Sequence, residues 1–219
     1  MKSYVRANRE VYNAVANEYH KRLAHYSKSL ASKQVNEPFI EVLKKNFKTP
    51  KVLELGPGSG LDLQYLEAAG CQTFAIDVAP KIINFAKKIS PKTKFFLGDF
   101  SEYNFKNQKY SGIFAKAFIH LFPTEDALMV FKKMWQLLVP GGFIYISTTK
   151  HKKPSAGFYL KKNFKTPLRR YRKKWSESEL KRAIRHCGFT IVFTGYHFER
   201  DKGKHWMYFV AQKNARIAA

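Results

Sequence analysis

The chain has 219 residues, 45% of them hydrophobic, so it can bury the core of one α/β domain and is not globally disordered. No apolar stretch is long enough to cross a bilayer, and the N-terminus lacks the apolar run of a secretory signal. The two cysteines, Cys71 and Cys187, argue against a disulfide framework and against a zinc site, so we expect a reducing cytoplasmic location and no metal.

The charge is unusual, because 40 Lys and Arg residues stand against 16 Asp and Glu residues, which gives a formal net charge of +24. A surface this basic attracts polyanions, anionic membranes or anionic small substrates. A lysine-rich surface can equally serve solubility alone and bind nothing in particular. The sequence leaves both interpretations open.

The first 49 residues are predicted to form an N-terminal helical cap. Val11, Val15 and Tyr19 recur every four residues, which gives a first helix an apolar face, and a second helix is predicted over residues 37–46. From residue 50 onward, strand-like and helix-like segments alternate, which is typical of an α/β domain with a mostly parallel sheet. Residues 50–219 are therefore predicted to form the main domain.

Seven strands are predicted in this domain, at residues 52–55, 73–76, 94–97, 110–115, 143–147, 190–196 and 206–212. Helices are predicted over residues 61–69, from Pro80 to about residue 89, and over residues 124–138. A last helix begins at Ser176, where Ser176 and Glu179 have the spacing of a capping box. The final two strands flank a hairpin-like turn at residues 201–204.

A glycine-rich loop, Gly56-x-Gly58-x-Gly60, joins the first predicted strand to the first helix of this domain. Glycines at such a turn let a ligand approach the backbone and present free amides at the helix start. The dinucleotide fingerprint would place another glycine at position 61, where Leu61 stands instead. A purely structural turn would also explain the loop.

Acidic residues follow the next two strands. Asp77 ends the second strand, where a carboxylate can accept hydrogen bonds from the hydroxyls of a ribose or can cap the helix that begins near Pro80. Asp99 and Phe100 follow the third strand, and an acceptor beside an aromatic ring suits an adenine. Each feature alone can be structural, but three at successive strand ends point to a nucleoside-containing ligand, since ligands bind at this edge of open α/β sheets.

These segments resemble the motifs of the class I, Rossmann-like S-adenosylmethionine-dependent methyltransferases. Residues 52–60 resemble the first motif, Asp77 matches the acidic residue of the second, and residues 98–100 match the third. Residues 137–142 resemble the turn before the fifth strand. The resemblance implies a doubly wound, mostly parallel seven-stranded sheet with helices on both faces and an antiparallel last strand, and it identifies residues 50–219 as the methyltransferase domain.

The resemblance also implies how the first loop would meet S-adenosylmethionine. Gly56, Pro57, Gly58 and Gly60 would pass under the methionine moiety, and Glu54 would organise its amino group. After transfer the product would be S-adenosylhomocysteine.

For the adenosine part, the resemblance implies that Asp77 holds the ribose and that Val78 flanks the adenine. In the segment after the third strand, Gly98 precedes Asp99, which would bond the adenine amine, and Phe100 would pack on the ring. These roles are expectations carried over from the family motifs.

Two further elements are expected near the cofactor. The resemblance places the backbone of Lys116 near the sulfonium, and it implies an N-terminal helix that caps the cofactor through Tyr4, Tyr12 or Tyr19. The alternative for Tyr12 and Tyr19 is core packing of an amphipathic helix.

His120 is the candidate general base, because it lies in the loop after the fourth strand, beside the expected position of the methyl group. A base is needed only where the nucleophile must lose a proton before or during attack. The alternative is a histidine satisfied by neighbouring backbone or capping the next helix.

Residues 150–175 form an insertion that contains eleven lysines and arginines, five aromatic residues and no acid. Basic side chains with aromatic platforms suit phosphate backbones and stacked bases. The alternative is a solvated lid over the active site whose aromatic side chains pack inward.

Three functions stay open at this point. The first is methyl transfer to a small-molecule acceptor, which can be anionic, and it is favoured by the compact length. The second is an RNA-directed or protein-directed methyltransferase that uses the basic insertion, which would make nucleic acid a partner. The third is a non-catalytic module that binds the cofactor or a nucleic acid. The oligomeric state and the atom methylated are not determined by the sequence.

Overall fold

Strand and helix bounds come from a computed structural model that describes residues 1–26, 30–161 and 167–215. The strands are β1 (Lys51–Leu55), β2 (Gln72–Asp77), β3 (Lys94–Leu97), β4 (Tyr110–Lys116), β5 (Leu138–Thr149), β6 (Ser155–Lys161), β7 (Leu168–Lys174), β8 (Phe189–Glu199) and β9 (Lys204–Lys213). The helices are α1 (Ser3–Tyr26), α2 (Leu30–Asn46), α3 (Leu61–Ala68), α4 (Pro80–Ile89), α5 (Thr124–Leu137) and α6 (Glu177–His186).

Seven strands form one sheet in the order β3-β2-β1-β4-β5-β9-β8. β1 to β5 pair in parallel, and β9 lies antiparallel between β5 and β8. The predicted doubly wound, mostly parallel sheet with an antiparallel last strand is therefore confirmed.

Apolar side chains point to both faces of the buried strands, and helices cover both faces of the sheet. In β4, Ile113 and Ala115 join a core cluster that includes residues of α5 and α6. Phe114, between them, joins a second cluster with Phe39 and Leu43 of α2. Successive strand side chains point to opposite faces, so a strand buried on both sides needs a helical layer on each.

The two N-terminal helices lie in different places. α1 packs on α4, on β7 and on a 3₁₀ turn at Ile119–Leu121, which puts it over the carboxyl ends of the parallel strands. α2 packs on β5, β8 and β9. It begins at Leu30 and continues through Pro38, earlier than the predicted start at residue 37. Phe39 of this helix packs against the aromatic rings of Phe114 and Tyr145.

The fifth strand is longer than predicted. It begins at Leu138 and includes Pro140, Gly141 and Gly142, which were expected to form a turn before the strand. A register shift against β4 between Tyr110 and Gly112 accommodates this segment. A bulge can accept a proline, which has no amide hydrogen to donate to the ladder.

Within the basic insertion, β6 and β7 form a separate two-stranded antiparallel sheet. This pairing was not predicted, because the sequence of β7 carries five cations and shows no apolar alternation. Lys162, Phe164 and Lys165 of the insertion lie outside the described residues.

Neither Cys71 nor Cys187 is paired, and both are buried. No helix in the described ranges is both long and apolar enough to span a membrane.

Two methionines of α5 provide a matched test of this packing. Met134 is 0% exposed, whereas Met129 is 61% exposed. Met134→Ala is expected to lower the free energy of unfolding by about 2–5 kcal/mol, because it leaves a cavity in the core. Met129→Ala should change it by less than about 0.5 kcal/mol. Urea denaturation of both variants measures the difference, and equal effects would contradict the assigned faces of α5.

Candidate functional site

A cavity opens at the carboxyl ends of the parallel strands, beneath α1. Eleven of the predicted site residues line it: Tyr4, Tyr12, Tyr19, Gly56, Gly58, Asp77, Val78, Gly98, Asp99, Phe100 and Lys116. The structure therefore brings together residues from the ends of β1, β2, β3 and β4, as expected for a ligand site of an open α/β sheet. Glu54, Pro57, Gly60 and His120 are not among the residues that line it.

The loop after β1 turns through three glycines with left-handed backbone, at φ +69° for Gly56, +56° for Gly58 and +86° for Gly60. The first two line the cavity. Gly60 instead packs on α4, since a Cβ there would lie 2.9 Å from the carbonyl oxygen of Ala86. The loop is thus both a site feature and a close contact between two helices.

Beside this loop, Glu54 is 2% exposed and its Oε2 has no hydrogen-bond partner. Burial raises the pKa of Glu54 well above its ordinary value, nearby Asp62 adds to the rise, and the ammonium of Lys116 opposes it. A buried carboxyl oxygen without a donor is costly unless a ligand supplies one.

Asp62 was not predicted as a site residue, although it lies in the first turn of the helix after the glycine loop. Its Oδ1 accepts hydrogen bonds from Lys116 Nζ at 2.9 Å and from Asn36 Nδ2 at 2.8 Å. The side chain of Lys116, expected to matter only through its backbone, is thereby held against α3.

Asp77 is held by the backbone that follows it. Its Oδ1 accepts a hydrogen bond from the amide of Ala79 at 2.7 Å, next to the first residue of α4. Burial raises the pKa of Asp77 to about 7, although the amides of Ala79 and Val78 act in the opposite direction. Asp77 therefore both bonds to the backbone at the start of α4 and faces the cavity, so helix capping and ribose binding do not exclude each other.

Asp99 has a similar local bond, since its Oδ1 accepts from the amide of Ser101 at 2.9 Å. Phe100 is buried, with its ring centroid 5.8 Å from that of Phe105 and 6.3 Å from that of Phe118. An aromatic wall thus stands next to a carboxylate on the side of the cavity formed after β3.

α1 covers the cavity with tyrosines. The rings of Tyr12 and Tyr19 meet edge to face with centroids 6.0 Å apart, and Tyr4 packs on Phe122 and Tyr171 at 6.0 and 5.5 Å. All three tyrosines line the cavity. Each tyrosine therefore packs on another aromatic ring and also faces the ligand space.

Several cavity residues were missed by the sequence analysis: Val5, Asn8, Ile76, Ile82, Ala117, Phe118, Leu121 and Phe122. A signal was present for the last four, since they surround His120 in the segment after β4. The other four lie on elements whose apolar residues predict only core packing.

His120 lies in the 3₁₀ turn after β4 and is 3% exposed. Its Nδ1 is 3.2 Å from Thr148 Oγ1 at the end of β5. The neighbouring Phe118 and Leu121 line the cavity, so His120 lies directly behind its wall.

Across the described part of the chain, no group of three or more His, Cys, Asp or Glu residues could hold a metal ion.

Comparison with known proteins identifies one family model, described as a methyltransferase domain, which matches residues 52–142. The chain is 28% identical over 137 residues to the biotin biosynthesis bifunctional protein BioHC of Cellvibrio japonicus. The match includes 61% of this chain but spans only 27% of that relative's length.

Solved structures share the fold at low identity. The 1,6-didemethyltoxoflavin-N1-methyltransferase of Burkholderia thailandensis, with bound 1,6-didemethyltoxoflavin and S-adenosylhomocysteine, has a TM-score of 0.73 and 20% identity, with 96% of this chain and 89% of that chain covered. The magnesium protoporphyrin IX methyltransferase of Synechocystis PCC 6803, with bound S-adenosylhomocysteine, has a TM-score of 0.71 and 16% identity, with 97% and 100% covered.

The raised pKa of Asp77 predicts how stability depends on pH. The folded value of about 7 lies above the ordinary value of 3.8, so the stability from neutral Asp77 is present below pH 3.8 and is lost as the pH rises through 7. Asp77→Asn, which keeps the acceptor for Ala79, should therefore melt at a higher temperature than the unsubstituted protein at pH 8. The two should melt together at pH 4. Thermal unfolding across this range measures the difference, and parallel curves at every pH would contradict the prediction.

Proposed function

We propose that this chain is a class I S-adenosylmethionine-dependent methyltransferase that transfers a methyl group from S-adenosylmethionine to a small-molecule acceptor and releases S-adenosylhomocysteine. The observation that carries the proposal is the cavity at the carboxyl edge of the sheet, where the ends of four parallel strands meet under α1. Sequence motif, fold and cavity all converge on that edge.

The residues at the first loop fit the methionine end of the cofactor. Left-handed glycines at 56 and 58 leave the backbone open to a ligand, and the unpartnered Oε2 of Glu54 is an acceptor for an ammonium group. Pro57 and Gly60 shape this loop, and Asp62 adds negative charge beside it.

The adenosine end fits the loops after β2 and β3. Asp77 offers acceptors for ribose hydroxyls beside Val78, and two hydroxyl donors would favour its ionised form and so lower its pKa on binding. Asp99, with Gly98 before it and Phe100 after it, presents an acceptor beside an aromatic face for the adenine.

S-adenosylmethionine, when bound, supplies a methyl group on a positively charged sulfur, which is already an electrophile. The protein's task is then to align the acceptor and exclude water, and alignment of this kind can lower a barrier by about 7–11 kcal/mol. The aromatic side chains of Tyr4, Phe118 and Phe122 line the cavity and make its wall apolar. The tyrosines of α1, including Tyr19, would close it over the cofactor, so α1 is the part of the predicted 1–49 cap that we assign this role.

A small-molecule acceptor is favoured because the cavity is covered by α1, which itself packs on β7. The Burkholderia and Synechocystis enzymes are named for small acceptors, and the Cellvibrio relative for biotin biosynthesis. These relatives support the class of acceptor and leave its identity open.

RNA is the second candidate acceptor, because the β6–β7 sheet presents exposed apolar and basic side chains together. Phe158 and Leu160 are exposed, the guanidinium of Arg169 lies 5.9 Å from the ring of Phe158, and Lys174 Nζ lies 4.7 Å from the ring of Tyr159. Such surfaces suit single-stranded nucleic acid.

The proposed activity can be tested with S-adenosylmethionine that carries a labelled methyl group, incubated with the purified protein and lysate split into metabolite, RNA and protein fractions. Label is expected in the metabolite fraction, and Asp99→Ala should reduce both labelling and S-adenosylhomocysteine binding at least about tenfold, since it removes a buried acceptor. Ribonuclease-sensitive label would transfer the proposal to RNA. Cofactor binding without label would favour a non-catalytic module. The absence of both label and cofactor binding, the latter measured by calorimetry, would contradict the family function.

His120 remains our candidate general base, and Thr148 offers a control for it. His120→Ala is expected to lower turnover about 100-fold or more while leaving S-adenosylhomocysteine affinity unchanged. Thr148→Val removes only the hydroxyl that His120 contacts, so it should keep most of the turnover and the basic limb of the pH–rate profile. Equal losses in both variants would assign His120 a positioning role instead.

A further inference from the structure

Two arginines that pair with no acid among the described residues lie beside the proposed active site. Arg170 and Arg172 occupy alternate positions of β7, so both side chains project from the same face of the β6–β7 sheet. Lys204, at the start of β9, is close enough for its charge to interact with both. Arg170 is 9% exposed, which is rare for an arginine that lacks a carboxylate.

The two guanidinium groups are held by hydroxyls. Arg170 Nη1 donates to Tyr12 Oη, and Arg172 Nη2 donates to Thr149 Oγ1 at 2.5 Å. The Nε of Arg172 is buried and has no partner. Among the described residues, neither guanidinium pairs with an Asp or Glu.

The opposite face of the same strand shows that acids were available nearby. Lys173, the residue after Arg172, is buried and pairs with Glu179 of α6 at 2.6 Å. Lys150, at the start of the insertion, pairs with Glu177 at the same distance. Acids of α6 thus neutralise the other face and leave Arg170 and Arg172 unneutralised.

The cationic side chains on the face of β7 that carries Arg170 and Arg172 repel one another. Burial lowers the pKa of Arg172, and the charge of Arg170 lowers it further. Burial likewise lowers the pKa of His151, whose Nε2 lies 2.9 Å from Thr149 Oγ1, and Arg172 adds to that shift. An anion placed among these groups would relieve repulsion and supply the missing acceptor for Arg172 Nε.

The pair also lies where an acceptor would have to sit. Tyr12, which Arg170 contacts, lines the cavity, and Thr149 ends the strand next to β4. In register with β5, Lys116 of the cavity pairs with Ser147, two residues before Thr149. The guanidinium groups are therefore one strand away from the proposed cofactor site, on the same edge of the sheet.

We propose that Arg170 and Arg172, together with the Thr149 hydroxyl, bind a carboxylate or phosphate group of the methyl acceptor. This inference rests on the proposed function and makes the acceptor an anionic small molecule. Guanidinium groups suit such planar or tetrahedral anions because they can donate two parallel hydrogen bonds. The anionic end of the acceptor would lie against β7, and the methyl-accepting atom would point into the cavity.

The test is thermal unfolding of the full chain, saturated with S-adenosylhomocysteine, in chloride, acetate or inorganic phosphate at equal ionic strength. Phosphate or acetate at about ten times its dissociation constant is expected to raise the melting temperature by about 3–6 °C. Arg172→Gln should lose at least two thirds of that rise, and Arg172→Lys, which keeps the charge, should lose part of it. Arg169→Gln is the matched control, because Arg169 lies on the same strand but is exposed and faces Phe158.

A rise with acetate alone would indicate a carboxylate acceptor and a rise with phosphate alone a phosphorylated one, and either supports the inference. An equal rise in all variants would mean diffuse attraction to the basic surface, and no rise in the unsubstituted protein would mean no anion site; both overturn it. S-adenosylhomocysteine binding, measured separately by calorimetry, tests the proposed function on its own. Normal cofactor binding without an anion response therefore rejects only the arginine site.

Discussion

The contact between Gly60 and α4 is the constraint on which the geometry of the site depends. The left-handed turn at Gly60 brings the start of α3 so close to Ala86 that a Cβ would lie 2.9 Å from its carbonyl oxygen. Ser90, at the end of α4, donates to the carbonyl of Gly60 at 3.0 Å. α4 is thereby held against the first loop at its middle and its end, while Asp77 and Ala79 fix its beginning. The loops after β1 and β2 consequently face each other across one cavity.

Features that depend on neighbouring residues could be predicted from the sequence. The glycine loop and the acids after β2 and β3 are local, and the backbone fixes both their position and their direction. Ser176 likewise caps α6, since its Oγ accepts from the amide of Glu179 at 3.3 Å. A capping box would also have the Glu179 carboxylate accept from the backbone amide of Ser176. Instead, the carboxylate accepts a hydrogen bond from Lys173.

Features that join distant segments could not be predicted. The group of Asn36, Asp62 and Lys116 combines residues from α2, α3 and β4, and no spacing in the chain indicates it. The β6–β7 sheet was missed for a different reason. Its strand β7 packs on α1 and on the 3₁₀ turn after β4, so tertiary contacts replace the apolar alternation that identifies a strand in a sequence.

The net charge of +24 has a local distribution that the composition conceals. Glu177 accepts hydrogen bonds from Lys150, Lys181 and Tyr196, and these bonds lower its pKa to about 2. The acids of α6 are thus concentrated on one side of the insertion. On the other side, the site that we propose has acids at one end, Glu54 and Asp62 near the glycine loop, and cations at the other, Arg170 and Arg172 on β7. Charges act over longer distances in a covered, apolar space than in water. A cationic cofactor and an anionic acceptor would therefore each be held by the end of opposite sign, which would orient the methyl-accepting atom toward the sulfonium.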